Sequence, residues 1–314
     1  MRILFMGTPD FSVPTLESLL DSEHEIIGVV TQPDKPKGRG KHIVLPPVKV
    51  VALEKGIPVY QPSKVKDPDF MDRMKALEPD LAVVVAFGQI LPKAFLDLPK
   101  YGCINIHASL LPKYRGAGPI QWAIIHGEAR TGVTTMYMDV GLDTGDMLLK
   151  QTVEIEPNET GGSLHDKLSV IGGPLVIKTI EALMEERLVG EPQNNELSTY
   201  APMLSKEMGN IDWHQTANKI ERLIRGLNPW PSAYTYYEGK LLKIWESEVV
   251  LCNTVDMPAG SICEIRDDGF VVKCKEEGLL IKSLQLQGKK RMSTPDFLRG
   301  HSVRIGQELC QTIE

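Results

Sequence analysis

The run Leu81-Ala82-Val83-Val84-Val85-Ala86 is apolar at every position. A strand with one wet face alternates apolar and polar residues; one without alternation must be covered on both faces, as a central strand of a parallel sheet is. The segments around it fit that setting. Further strands are expected at 3–7, 25–31, 103–107, 132–138 and 147–155. Helices are expected at 13–20, 48–55, 69–77 and 120–126, with a longer amphipathic one at 163–187 that Gly172-Gly173-Pro174 could kink. Strands interleaved with helices imply an α/β fold with a doubly wound sheet.

The texture changes near residue 190. Gly190-Glu191-Pro192-Gln193-Asn194-Asn195 is polar and rich in breakers, and 191–206 reads as a linker. A helix is expected at 216–227, ending at Asn228-Pro229-Trp230-Pro231. Short strands follow at 233–238, 241–247, 260–266, 269–275 and 278–286, separated by Glu238-Gly239, Asp268-Gly269 and Glu277-Gly278. That spacing suggests a small barrel or sandwich. The chain's 314 residues therefore divide into 1–190, the linker and 207–314. Trp122 and Trp230 read as core anchors, with substrate contact as the alternative.

The N-terminus meets Pro9 and Asp10 too soon for a secretory leader, and no run reaches the roughly 18 apolar residues of a membrane helix. Cysteines at 103, 252, 263, 274 and 310 show no C-x-x-C spacing and read as reduced, mostly buried thiols of a cytoplasmic protein. The formal charge is −6, all of it from residues 1–200, since 201–314 hold 15 basic and 15 acidic residues. Within that acidic part lies a basic island, Lys35, Lys37, Arg39 and Lys41 with Lys49 beyond, loosened by Pro33, Pro36, Gly38 and Gly40. Such a loop can follow a phosphate backbone, or be a solvated turn. On the second domain Lys273, Lys275, Lys282, Lys289, Lys290 and Arg291 offer a second basic face, with a charged solvated exterior as the alternative.

Two nucleotide-binding motifs are excluded. A Walker A loop fails because Lys35 and His42 stand where glycine and a hydroxyl residue are required. The first strand-to-helix turn, Gly7-Thr8-Pro9-Asp10-Phe11, has one glycine where a dinucleotide site needs three, and Pro9 removes a donor. The sheet is reused for another ligand.

Candidate chemistry lies at Asn105-Ile106-His107. Alternation puts both polar side chains on one face near the strand's C-terminal end, where open α/β sheets bind ligands. An amide can donate to a developing oxyanion, and an imidazole exchanges protons near neutral pH. That pair suits acyl-type transfer, although two residues alone are as compatible with local hydrogen bonding. A second constellation, Asp139-Val140-Gly141-Leu142-Asp143-Thr144-Gly145-Asp146, lacks EF-hand spacing, so no metal is expected there. A carboxylate that orients His107 and favours its protonated form is the better role.

Asn105-x-His107, Ser109-Leu110-Leu111-Pro112, Tyr114-Arg115-Gly116, Pro119 and Asp143-x-Gly145 together resemble the folate-dependent formyltransferase family. Gly7-Thr8-Pro9-Asp10-Phe11, the insertion at 32–41 and Asn228-Pro229-Trp230-Pro231 resemble its members that act on charged tRNA, so the likeness spans nearly the whole chain. The resemblance implies a Rossmann-like catalytic domain and a C-terminal OB-like β-barrel that holds tRNA. It implies 10-formyltetrahydrofolate as donor and the α-amine of methionine on initiator tRNA as acceptor, in support of translation initiation. Asn105, His107 and Asp143 would be catalytic. Ser109, Leu110, Leu111 and Pro112 would contact the folate, and Phe87, Gly88, Ile90, Leu91 and Asp139 would hold its pterin through backbone groups. Lys35, Lys37, Arg39, Lys41, Lys289, Lys290 and Arg291 would contact tRNA. No metal or membrane is implied, and a monomer is expected. Two rivals are a folate formyltransferase acting on a sugar-nucleotide amine or purine precursor, and a nucleic-acid-binding module with an inert Rossmann-like half.

Overall fold

The structure is a computed structural model that describes residues 1–37, 42–252 and 256–310. The chain forms two compact units. The first comprises 1–119, 130–154 and 165–201; the second comprises 120–129, 155–164 and 202–314.

The first unit opens with β1 (Arg2–Gly7), α1 (Val13–Leu20) and β2 (Glu25–Val30), then a hairpin of β3 (Lys35–Lys37) and β4 (His42–Val44). It continues through α2 (Pro47–Glu54), β5 (Val59–Tyr60), α3 (Pro68–Ala76), β6 (Leu81–Val85), α4 (Lys93–Leu96), β7 (Cys103–His107) and β8 (Arg115–Gly116). After α5 (Pro119–His126), which from Ile120 on belongs to the second unit, come β9 (Arg130–Tyr137), β10 (Met147–Glu154), α6 (Gly161–Met184), in this unit from His165 on, and β11 (Tyr200–Ala201).

Seven of these strands form one sheet in the order β10-β9-β7-β6-β1-β2-β5. From β7 to β5 the pairings are parallel, while β7–β9 and β9–β10 are antiparallel. The Rossmann-like α/β expectation holds, with an antiparallel edge on an otherwise parallel sheet. All of β6 is buried, as its composition required. Its face packs with Leu4, Met6, Phe70, Met74, Phe95 and Cys103 in one apolar cluster.

α3 starts where Asp67 caps the backbone N–H groups of Asp69 and Phe70, with Pro68 at the first helical position. α6 runs continuously through Pro174. Gly172 and Gly173 serve packing on α1: a Cβ on Gly173 would meet Ser18 Oγ at 2.0 Å and the Pro14 carbonyl at 3.0 Å.

The second unit holds α7 (Ala217–Gly226), β12 (Ala233–Tyr237), β13 (Lys240–Val250), β14 (Ile262–Arg266), β15 (Gly269–Lys273), β16 (Gly278–Leu286), β17 (Met292–Ser293) and α8 (Thr294–Gly300). The strands make one antiparallel sheet, β12-β13-β16-β15-β14, with β17 beside β16. Its core joins Trp213, Ile220 and Ile224 to Tyr237, Phe270, Ile281 and Phe297. Among the described residues β12 and β14 do not pair, so strand pairing closes no barrel. The C-terminal segment lies on both: Cys310 bridges to Tyr236, and Glu308 to Ser261.

Trp230 corrects an expectation. It is 54 % exposed, because it stands in the turn after α7 while its neighbours Leu227 and Ser232 are the buried ones. Trp122 is half-buried, and its indole N–H donates to the Pro202 carbonyl at 3.0 Å.

Candidate active site

β7 lies between β6 and β9, with Asn105 opposite Val84 and Met136. Asn105 and His107 share one face, as alternation required. The loop joining β9 to β10 folds back over that face and brings Asp143 to both. Asn105 Nδ2 lies 3.5 Å from Asp143 Oδ1, and His107 Nδ1 lies 3.7 Å from Asp143 Oδ2. The three residues expected to act together are thus gathered at one place. The His107 and Asp143 side chains are only 7 % and 15 % exposed.

Two backbone groups, unforeseen from sequence, set this geometry. The Gly116 N–H donates to Asp143 Oδ2 at 2.8 Å, and is closer to that oxygen than the imidazole is. His107 Nε2 lies 2.8 Å from the Tyr114 carbonyl oxygen. A carbonyl only accepts, so Nε2 carries the hydrogen of that bond. Nδ1, facing Asp143, is then the nitrogen whose protonation can change.

Tyr114 and Gly116 are placed by the chain around them. The Tyr114 and Arg115 N–H groups donate to Thr199 Oγ1 at 2.8 Å and to its carbonyl at 2.9 Å, and β8 pairs with β11. Gly116 has φ +114°, and a Cβ there would lie 2.6 Å from the Ala201 carbonyl. Only glycine fits both the left-handed backbone and the close approach. The segment read as linker from its composition is built into the first unit up to residue 201. Glu191 pairs with Met147, and the Gln193 amide donates to the carbonyls of Asp143 and Gly145.

The expected folate residues divide into framework and surface. Ser109, Leu111, Phe87 and Leu91 are buried. Ser109 Oγ donates to the Lys113 carbonyl at 2.7 Å, closing the loop after β7. The Phe87 carbonyl accepts from Thr8 Oγ1 and Gln32 Nε2, which ties this loop to the first strand-to-helix turn and to Gln32. Asp139 is exposed, and its carboxylate accepts from the Gly141 N–H and Thr144 Oγ1 within its own loop. Gly88 and Ile90 are exposed, and Leu110 and Pro112 are half-buried. Apolar side chains stand open on both loops: Ile90 is 78 % exposed, Val140 68 % and Leu142 53 %. Met138 packs on the cluster holding Phe87 and Leu91, which joins the two loops.

The basic residues separate similarly. Lys35 is exposed on β3, whereas Arg39, Lys41 and the Lys37 side chain lie outside the described residues. Lys49 is not part of a free basic surface: it pairs with Asp34 at 2.8 Å and bonds to Gln61. That pairing, chiefly the hydrogen bond from Lys49, holds the Asp34 carboxyl below its usual range. On the second unit Lys275, Lys289 and Lys290 are exposed and Lys273 is half-buried. Lys282 pairs with Glu248, and Arg291 with Glu246 at 2.6 Å. The last two cations are therefore locally compensated rather than bare. Arg291 and Lys243 also lie over the Trp245 ring. Among the described residues no cluster of three or more acidic, histidine or cysteine side chains could hold a metal, and no helix is long and apolar enough to cross a membrane.

An amide, an imidazole and a carboxylate held over the end of a parallel strand are what acyl-type transfer to a nucleophile needs. The sequence agrees at the level of family: residues 1–180 match Formyl transferase, and residues 203–302 match Formyl transferase, C-terminal domain. The chain belongs to the formyl transferase family. It is similar along nearly its whole length to methionyl-tRNA formyltransferases. That of Alkaliphilus oremlandii is 53 % identical over 309 residues, covering 98 % of this chain and 99 % of the relative. That of Clostridioides difficile is 51 % identical over 306 residues, with 98 % and 99 % covered. Among solved structures, an N-formyltransferase from Helicobacter canadensis, in complex with folinic acid and dTDP-3-aminofucose, shares the fold. Its TM-score is 0.66 at 20 % identity, with 90 % of this chain and 98 % of that one covered.

Proposed function

We infer that this chain transfers a formyl group from 10-formyltetrahydrofolate to the α-amine of methionyl-tRNA, the step that prepares initiator tRNA for translation initiation. Family membership and likeness to methionyl-tRNA formyltransferases over 98 % of the chain support the substrate pair. The convergence of Asn105, His107 and Asp143 carries the chemistry.

The attacking amine must be neutral, since an ammonium has no lone pair; a free α-amine has a pKa of about 8, so a fraction is available at neutral pH. Attack on the formyl carbon builds a tetrahedral centre with a negative oxygen. Asn105 Nδ2 donates to that oxygen. His107 donates from Nδ1 in its protonated form, because Nε2–H is bonded to the Tyr114 carbonyl. Asp143, 3.7 Å from Nδ1, stabilises the imidazolium and helps carry the amine proton, through water, to the departing folate nitrogen.

The open apolar side chains Ile90, Val140 and Leu142 suit a flat heteroaromatic ring lying between the two loops. Gly88, Ile90, Leu110, Pro112 and Asp139 contact the folate, with Phe87, Leu91, Ser109 and Leu111 as the framework beneath. The segment up to residue 201 carries the catalytic role, 202–206 connect, and 207–314 hold tRNA as an OB-like barrel that the C-terminal segment completes. Lys35, Lys37, Arg39 and Lys41 reach the acceptor stem, aided by Lys289, Lys290 and Arg291. One chain supplies every group named, so it works as a monomer, in the cytoplasm where translation starts.

Replacing Asn105, His107 or Asp143 by Ala is expected to lower formyl transfer to charged tRNA by roughly 10²–10³. Uncharged tRNA is the control, and circular dichroism checks the fold. A near-normal rate for any of the three removes that residue from the mechanism.

A further inference from the structure

We propose that Gln193 is a positioning residue for catalysis, holding the Asp143 loop in its working conformation from a segment that composition marks as linker. The inference rests on the catalytic reading of Asp143 and adds what keeps that carboxylate in place.

Asp143 has φ +52°, in the left-handed region, which aspartate enters more readily than most non-glycine residues but still at a cost. Something must hold it there. On the side-chain side the Gly116 N–H holds Oδ2. On the main-chain side the Gln193 carboxamide does so: Nε2 donates to the Asp143 carbonyl at 2.9 Å and to the Gly145 carbonyl at 2.8 Å. Its Oε1 accepts from Arg115 Nε at 2.9 Å. The amide orientation is fixed by its partners, since two carbonyls can only accept and a guanidinium can only donate. Both donor hydrogens and the oxygen are engaged. Arg115 is held again by Asn195 Oδ1 at 2.9 Å, and it directly precedes Gly116. Gln193 thus grips both backbones that meet at the Asp143 carboxylate. Its own place is set two residues earlier, where Glu191 and Met147 exchange N–H to carbonyl bonds at 2.8 and 2.9 Å.

Gln193 touches neither Asn105 nor His107 among its hydrogen-bond partners, so its effect must run through Asp143. Two substitutions separate its two grips. Gln193→Leu removes all three bonds. Gln193→Glu keeps the acceptor for Arg115 but cannot donate, and sets a carboxylate against the two carbonyls.

The test measures kcat and KM for 10-formyltetrahydrofolate and charged tRNA in four proteins: wild type, Q193L, Q193E and D143N. The double variant Q193L/D143N completes a cycle. Both Gln193 variants are expected to lose roughly 10- to 100-fold in kcat, the scale of a misplaced catalytic group, with KM for the folate changed less than about threefold. In the D143N background, Q193L should cost less than about twofold, because the group it positions is already gone. A merely structural role would lower kcat equally in both backgrounds. That additive result overturns the proposal, as does normal kcat in Q193E. Normal kcat in D143N would overturn the catalytic reading of Asp143 and this proposal with it. An impaired D143N beside normal Gln193 variants overturns the proposal alone.

Discussion

At the scale of single residues, hydrogen-bond partners matter more than residue type. The Tyr114 carbonyl leaves His107 with one nitrogen that can gain or lose a proton, and that nitrogen faces a carboxylate. A histidine in the motif suggested proton chemistry, but which nitrogen is turned to the carboxylate and which is tied to a carbonyl is set by a main-chain oxygen seven residues away. Thiols obey the same logic. Burial, with Asp97 nearby, pushes Cys103 up to about 12. Burial, with Cys252 and Cys263 nearby, pushes Cys274 up to about 12 as well. The thiolate is the reactive form, and almost none exists at neutral pH in either site. Both cysteines should therefore resist iodoacetamide in the folded protein and react after unfolding in guanidinium, as read by peptide mass spectrometry. Rapid native alkylation of either would contradict that burial.

At the scale of elements, close packing sets the cost of change. Gly173 lets α6 lie against α1, and a methyl there would collide with Ser18 and the Pro14 carbonyl. Gly173→Ala is expected to destabilise by about 1–3 kcal/mol, an overpacking cost measurable by denaturant unfolding. An unchanged midpoint would mean that the helices part without loss.

The strands of the main sheet were legible because burial on both faces writes itself into composition, as in Leu81 to Val85. Asn105 and His107 were legible as a pair through strand alternation, and Asp143 joined them only through the family resemblance; the structure brings the three together. What stayed hidden was held by backbone or by very short elements: β8 and β11 are two residues each, and no propensity signals a pairing between segments so far apart. Gln193 was hidden by its setting, since Glu191-Pro192-Gln193-Asn194-Asn195 has the composition of a connection whatever it touches. Trp230 was misassigned because a large ring suggests a core even when its turn points it outward.

At the scale of the whole molecule, a chain of net charge −6 must bring a polyanion to its site by local rather than global attraction. Lys282 and Arg291 are answered by Glu248 and Glu246, which leaves the insertion at 35–41 as the denser run of basic residues. Arg39→Ala should weaken tRNA binding across salt concentrations and reduce the slope of log affinity against log salt by about 1. Folate affinity should stay unchanged; an unaltered slope would make the loop a solvated turn.

β11 also bears on how this chain can be dissected. A fragment severed at residue 190, where composition turns polar, would forfeit Gln193, Thr199 and Ala201, and with them the props beneath Arg115 and Gly116. It would keep Asn105, His107 and Asp143 yet lose the scaffolding that aims them. A minimal excised module has to extend through Ala201, so the boundary suggested by tertiary pairing lies eleven residues past the one suggested by composition.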